Sequence, residues 1–185
     1  MAEWFDLAGA HTDAVIAAVA RRLEADGIGH VVVATTSGET GARFAEALRG
    51  RGVVVVCVTH HAGFKGGDEV QLEPGQAQAI RAAGGTVLTT MHALSGVERS
   101  ISKAFGGVGP AEMVAHTLRL FGQGTKVCVE IAVMAADAGL IPTDRDVICV
   151  GGTGRGADTA VVLKPAHSNA FFDLRVRETL CRPIG

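Results

Sequence analysis

The sequence carries no excess of charge of either sign: Lys and Arg number 17 against 19 Asp and Glu, a formal net charge of -2. That balance argues against a nucleic-acid binder, which needs a basic surface, and against the composition of a disordered chain. Long hydrophobic runs are also missing. Although 48% of the residues are hydrophobic, the strongest apolar run, residues 53–58, is far short of the ~20 residues that cross a bilayer, so no membrane partner is expected. Residues 1–10 contain Glu3 and Asp6 and lack the basic and apolar regions of a secretory signal, which predicts a cytoplasmic address. The four cysteines, Cys57, Cys128, Cys149 and Cys181, show no CxxC spacing and are expected to be reduced and structural. Metal-ligand spacing, a Walker GxxxxGK[ST] motif, internal repeats, low-complexity tracts and linkers are absent as well.

Glycine is plentiful instead, with 25 residues, about twice the usual ~7%. The 185 residues fit a single domain, residues 1–185, able to bury a core without disulfide or metal staples. Thr12 reads as the N-cap of a helix that runs to about residue 25 and stops at Gly27. Residues 31–35 form a β-branched run, followed by a polar glycine turn and a helix with Phe44 and Leu48 four apart. The pattern repeats with a strand at 53–58, a long polar loop, a helix opened by Pro74 and a third strand at 86–90. A connection over 91–109 is too long for a simple turn, so it is either functional or partly helical. Helices from Pro110 and from about Lys126 to Ala138 precede a fourth strand at 146–150.

Strands alternating with helices predict a layered α/β sheet with parallel pairing, and continuous valine runs fit strands covered on both faces. Only seven residues, 151–157, separate the fourth strand from the strand-like run 158–163. A parallel crossover needs a dozen or more, so the fifth strand is expected to be antiparallel. A last strand-like piece, 171–176, is read as an edge strand or a tie for the C-terminus.

The loops leaving the four parallel strands are polar and glycine-rich, and they share one edge of the sheet, where open α/β proteins bind ligands. In the first loop, Thr36, Ser37, Gly38 and Thr40 join a strand end to a helix N-terminus, which suits a phosphate. A capping box of Thr36 with Glu39 is the alternative. Gly152, Thr153, Gly154, Arg155 and Gly156, followed by Ala157, match a GxGxxA fingerprint, but they lead into a strand rather than a helix. They read as a glycine hairpin that lets backbone approach a ligand, with Arg155 as a charge partner, or else as a plain tight turn. His60, Lys65 and His92 offer polar contacts. Phe64, Met91 and Phe105 are soft or aromatic groups able to lie against a ring, or ordinary core. Lys126 sits in a first helical turn, aimed at an anion or simply solvated.

The stretches VVVATTSGETG, VTHHAGFKG, HALSGVERSISKAFGG, GTKVCVEIAVMAADAGLIP and VGGTGRGADTA together resemble the stand-alone relatives of the pyruvate kinase C-terminal α/β domain, over nearly the whole chain. The resemblance implies a three-layer sandwich with a mixed five-stranded sheet of order 3-2-1-4-5, strand 5 antiparallel. In pyruvate kinase this domain follows a catalytic barrel and in many members holds a sugar-bisphosphate activator at the loop corresponding to Thr36 through Thr40. A barrel takes ~250 residues, so no pyruvate kinase activity is expected here. The stand-alone relatives look like FMN binders of unsettled role. The resemblance thus implies FMN as cofactor and a small phosphorylated ligand as partner, with a flavin-dependent oxidoreductase and a non-catalytic sensor of phosphorylated metabolites as competing readings. Further copies of the chain remain open as partners, and no catalytic residue is assigned.

Overall fold

The computed structural model describes residues 2–25 and 27–184. In chain order the elements are β1 (Glu3–Phe5), α1 (Thr12–Leu23), β2 (His30–Ala34), α2 (Glu39–Ala47), β3 (Val54–Thr59), α3 (Pro74–Ala82) and β4 (Thr86–Thr89). They continue with α4 (Gly96–Phe105), α5 (Pro110–Arg119), α6 (Gln123–Asp137), β5 (Val147–Gly151), β6 (Thr159–Lys164), a 3-10 segment at Ser168–Asp173 and β7 (Arg175–Pro183).

Side chains alternate across a strand, so a run of valines feeds both faces of a sheet at once. Val31 and Val33 of β2, with Val55 and Cys57 of β3, meet Val15 and Val19 of α1, Phe44 and Leu48 of α2 and its C-terminal end, and Ile80 of α3. Val32 and Val56 point the other way, onto Cys128, Ile131, Ala132 and Ala135 of α6. Each large apolar side chain buried in this way stabilises the fold by about 1.5–3 kcal/mol. The result is a mixed sheet with helices on both faces, which makes the valine runs necessary rather than incidental.

Among the described residues the sheet has seven strands in the order β1-β7-β6-β5-β2-β3-β4. This corrects the expected five-stranded sheet by adding two strands, while β4-β3-β2-β5-β6 keep the expected relative order 3-2-1-4-5. β2 pairs in parallel with β3 and with β5, and β3 with β4. β6 runs antiparallel to β5, as its short connection requires. The two unexpected strands lie beyond β6: β7 is antiparallel to it, and β1 adds in parallel to β7. The strand-like reading of 171–176 is displaced, because Phe171 and Phe172 belong to the 3-10 segment and the true strand begins at Arg175. Its first four residues are exposed and only Leu180 and Cys181 are buried, so β7 is set by ladder pairing rather than by an apolar pattern. β1, at three residues, is too short to show any period.

Two local readings also change, and the reading of 91–109 as partly helical holds. Thr12 is not a cap: α1 is preceded by His11 without a side-chain cap, and the Thr12 hydroxyl instead accepts the N–H of Ala157 at 3.1 Å. The capping box of Thr36 with Glu39 is absent, since α2 starts at Glu39 with Gly38 as its left-handed N-cap at φ 103°. The connection after β4 contains the ten-residue α4, none of whose residues is buried. All four cysteines are free and buried, and burial pushes the Cys57 thiol up to about 12. No helix among the described residues is long and apolar enough to cross a membrane.

Candidate functional site

The strand order reverses direction around β2, where β3 departs on one side and β5 on the other. A crevice must open there at the carboxyl ends of the strands, because the connections run to opposite faces. A cavity of about 730 Å³ occupies it, lined from the loops after β2, β3, β4 and β5 and from the start of α6.

The loop after β2 is pinned before it turns into α2. Thr35 donates its N–H to the carbonyl of Val58 at 2.9 Å, and the Thr59 hydroxyl donates to the carbonyl of Thr36 at 3.0 Å. Thr35 Oγ1 accepts the N–H of Gly41 at 3.3 Å. Thr36, Ser37 and Thr40 then face the cavity beside the positive end of α2. Gly38 does not line it. A Cβ at this position would come within 2.5 Å of the Gln76 side chain and 2.7 Å of Leu72, so glycine is required there by close packing against the α3 side.

The hairpin between β5 and β6 is built around Asp158, which is fully buried. Its Oδ2 accepts the N–H of Thr153 at 3.0 Å and of Gly9 at 3.3 Å, and its Oδ1 accepts the Thr159 hydroxyl at 2.7 Å. A Cβ on Gly152 would lie 2.4 Å from the carbonyl oxygen of Gly156, so the turn closes only with glycine. Gly152, Gly154, Arg155 and Gly156 line the cavity, whereas Thr153 does not. Arg155 stays 89% exposed, 3.6 Å from Glu39.

The middle of the cavity is aromatic. The ring of Phe64 lies 4.0 Å from His60 and 5.0 Å from His92 between centroids, and His61 packs edge-on to Phe64 and His92. His60 Nδ1 lies 2.7 Å from Gln71 Oε1, an acceptor that suits the tautomer with the proton on Nδ1. His92 Nδ1 is buried with no hydrogen-bond partner among the described residues. Burial, opposed by Glu130 and reinforced by His60, Lys126 and His61, lowers the His92 pKa to about 4, so its imidazole is neutral at neutral pH. Lys65 also lines the space. Met91 and Phe105 do not: Met91 packs its thioether over Gly96, and Phe105 is 85% exposed at the end of α4. No group of three His, Cys, Asp or Glu side chains among the described residues is placed to hold a metal ion.

The far wall is the largest gap in the sequence reading. Lys126 and Glu130, one turn apart on α6, are both buried and joined at 2.5 Å. Glu130 Oε1 also accepts the N–H of Leu94 at 3.0 Å, tying the loop after β4 to α6. Lys126 is therefore no solvated lysine. Its ammonium has three donors and makes this one hydrogen bond among the described residues, so two donors are left over on a residue that lines the cavity. Arg99 and Arg119 stand beside it on the same lining. The i,i+4 spacing of Lys126 and Glu130 in an otherwise apolar helix was the available signal. Eleven of the fourteen residues proposed from the sequence line the cavity; Gly38, Met91 and Thr153 are the exceptions.

The profile of the family described as pyruvate kinase, alpha/beta domain, matches residues 13–163. The chain belongs to that family. Among solved structures, an O-ureido-L-serine synthase aligns at 20% identity over 70% of this chain and 48% of its own, with a TM-score of 0.34. The SAH-bound Podospora anserina methyltransferase PaMTH1 aligns at 13% identity over 75% of this chain and 50% of its own, with a TM-score of 0.31. This pyruvate kinase α/β-domain chain spans about half the length of those structures.

Proposed function

We propose that this pyruvate kinase α/β-domain chain binds FMN, with the phosphate in the loop after β2 and the isoalloxazine ring in the aromatic middle of the cavity. One observation carries the reading: a single space of about 730 Å³ joins a helix N-terminus edged by Thr36, Ser37 and Thr40 to the Phe64, His60 and His92 rings and to the Lys126 ammonium. These are the three parts a flavin requires: an anion cradle, an apolar slot, and donors near the part of the ring that gains negative charge on reduction. The volume falls within the ~300–1,000 Å³ usual for small-molecule sites. The backbone of Gly152, Gly154 and Gly156 with Arg155 would close the phosphate end. Bound flavin would supply electron-transfer chemistry. The chain's own contribution would be to orient the ring and to hold the neutral His92 and the Lys126 donors beside it.

A second reading, a non-catalytic sensor of a phosphorylated metabolite, is favoured by one observation. A sugar bisphosphate asks for a second cationic group. The cations that look scattered along the sequence come together as Arg99, Arg119 and Lys126 on one wall.

Titration of ligand-free protein with FMN, riboflavin and fructose bisphosphate separates the readings. FMN is expected to bind at least tenfold more tightly than riboflavin, since the cradle is half of the site. Tight bisphosphate binding without flavin binding would replace the first reading by the second. In either case phosphoryl transfer from phosphoenolpyruvate to ADP is expected to stay at background, because the cavity belongs to the α/β domain and not to a catalytic barrel.

A further inference from the structure

We propose that the wall of Ser95, Arg99, Arg119 and Lys126 is a second anion site, which takes the carboxylate of a small organic acid while FMN occupies the main cavity. The flavin half of this statement rests on the reading above. The wall itself does not.

A smaller cavity of about 160 Å³ lies between α4, α5 and α6, and Ser95, Arg99, Arg119 and Lys126 line both it and the large one. Cations outnumber carboxylates on the lining of the large cavity, against the trend of the chain. The protein is formally -2, yet the large cavity is lined by Lys65, Arg99, Arg119, Lys126 and Arg155 against Glu39, Glu73 and Glu130. Arg155 is engaged by Glu39 and Lys126 by Glu130. Arg99 and Arg119 have no carboxylate within 4.0 Å among the described residues.

Two carboxylates also line the smaller cavity, and both are committed elsewhere. Glu98 accepts the N–H groups of Ala111 and Glu112 at the start of α5, at 3.1 and 2.7 Å. Glu112 accepts the Ser102 hydroxyl at 3.2 Å and lies 4.0 Å from His116. The arginines, in contrast, are oriented but unspent. Arg119 donates Nε–H to Gln123 Oε1 at 2.7 Å, and its two terminal nitrogens have no hydrogen-bond partner among the described residues. The Arg99 guanidinium rests over Phe64, 5.3 Å from the ring centroid, with its edge N–H groups open. A guanidinium edge matches a carboxylate through two parallel N–H bonds, where an ammonium offers only a point charge. Ser95 is the N-cap of α4 and Gln123 the first residue of α6, whose N-termini add partial positive charge, while Arg119 ends α5, whose C-terminal carbonyls add partial negative charge.

The volume limits the occupant. About 160 Å³ admits an acid of a few carbons. The α2 cradle and this wall also stand on different elements, as two ligands would require. A wall shared with the flavin cavity would bring the acid's carbon chain against the ring position beside Phe64.

Succinate and inorganic phosphate serve as probes, titrated calorimetrically into FMN-loaded and ligand-free protein, for the wild type and for Arg99→Gln and Arg119→Gln. Thermal unfolding of each variant verifies that it is folded. Succinate is expected to saturate the FMN-loaded wild type, and each variant to weaken succinate at least tenfold and by a larger factor than it weakens FMN. Absence of saturable succinate binding, equal binding by the variants, or mutual exclusion of succinate and FMN would each overturn the proposal. Phosphate binding in place of succinate would assign the wall to a second phosphate and overturn the carboxylate class. FMN titration of the same wild-type sample separates the two claims. If FMN fails while succinate still binds the ligand-free protein through Arg99 and Arg119, the anion site stands and the flavin reading falls.

Discussion

Helices α6 and α4 wall the same cavity and are held in place by opposite means. Twelve of the fifteen residues of α6 are buried, and it packs on β5, β2, β6 and β3 through one of the two cores. α4 buries none of its ten residues, and Val97, Ile101 and Phe105 along it are exposed. Its attachment is polar: the Glu98 carboxylate holds the first N–H groups of α5, and Ser102 reaches Glu112. One wall is thus fixed by dispersion and burial, and the other by a few hydrogen bonds whose net worth is about 0.5–1.5 kcal/mol each, more where a carboxylate accepts. Within a single site, the ligand-facing groups on α6 should be costly to disturb and those on α4 cheap.

The largest expected effect tests the α6 side. Glu130→Ala leaves the Lys126 ammonium buried without its partner and the Leu94 N–H without its acceptor. Breaking a buried pair from one side costs about 3–5 kcal/mol, because the surviving charge is uncompensated. Urea denaturation should show that loss, and Glu130→Ala combined with Lys126→Met should recover most of it. A loss below about 1 kcal/mol would mean that the ammonium reaches water through the cavity, and α6 would be less closed than its burial implies. The next effect is apolar. Ile131→Ala on α6, where the side chain is 4% exposed, should cost about 2–5 kcal/mol through lost burial and the hole left behind.

The same contrast explains what was legible in the sequence. Residues whose position follows from period and neighbours, such as the valines of β2 and β3 and the loops after them, could be placed, because a strand covered on both faces must be apolar throughout. β7 could not. Its opening residues, Arg175, Val176, Arg177 and Glu178, are exposed, and their strand conformation comes from backbone pairing with β6, which leaves no mark on side-chain pattern. Gly38 was legible as special but not for its reason, since the clash with Leu72 and Gln76 is a contact across more than thirty residues of chain. Asp158 was invisible for a similar cause: its partners are backbone N–H groups of Gly9 and Thr153, and no spacing in sequence encodes them. The Arg99 and Arg119 wall depends on how α4, α5 and α6 pack, which local pattern does not specify.

A smaller effect should appear at the junction of the two regions, where His92 sits between β4 and α4. Burial, with Glu130 opposing and His60, Lys126 and His61 assisting, lowers its pKa to about 4, against about 6.5 in an unfolded chain. Between those values the unfolded state binds the proton and the folded state does not, so stability rises with pH. The contribution is fully present above about pH 6.5, is lost as pH falls toward 4, and is flat below. His30 is lowered as well, by burial and by Arg145, and acts in the same direction. Denaturation midpoints measured from pH 4 to pH 7.5 should therefore slope upward, and His92→Phe should flatten the slope, with His30→Phe flattening it further. A slope unchanged in His92→Phe would place the imidazole in open solvent and detach it from the packed side of the cavity.

The smallest expected effect is the counterpart of Ile131→Ala. Ile101→Ala removes the same atoms from α4, but the side chain is already 53% exposed, so little burial is lost and no closed hole is left. Alanine also favours helix over isoleucine by a few tenths of a kcal/mol. The two terms oppose, and the net change in urea denaturation should lie within about 0.5 kcal/mol of zero. The ratio of the two isoleucine substitutions then measures the asymmetry of the cavity walls directly. A loss of about 2 kcal/mol or more at Ile101 would break the comparison, and its dependence on protein concentration would say how. Stability that grows with concentration in the wild type and not in Ile101→Ala would mean that another copy of the chain covers the Val97, Ile101 and Phe105 stripe, since a partner that binds only the folded state adds its binding free energy to the apparent stability. A loss independent of concentration would instead show that α4 folds against its own cavity more tightly than its exposure indicates.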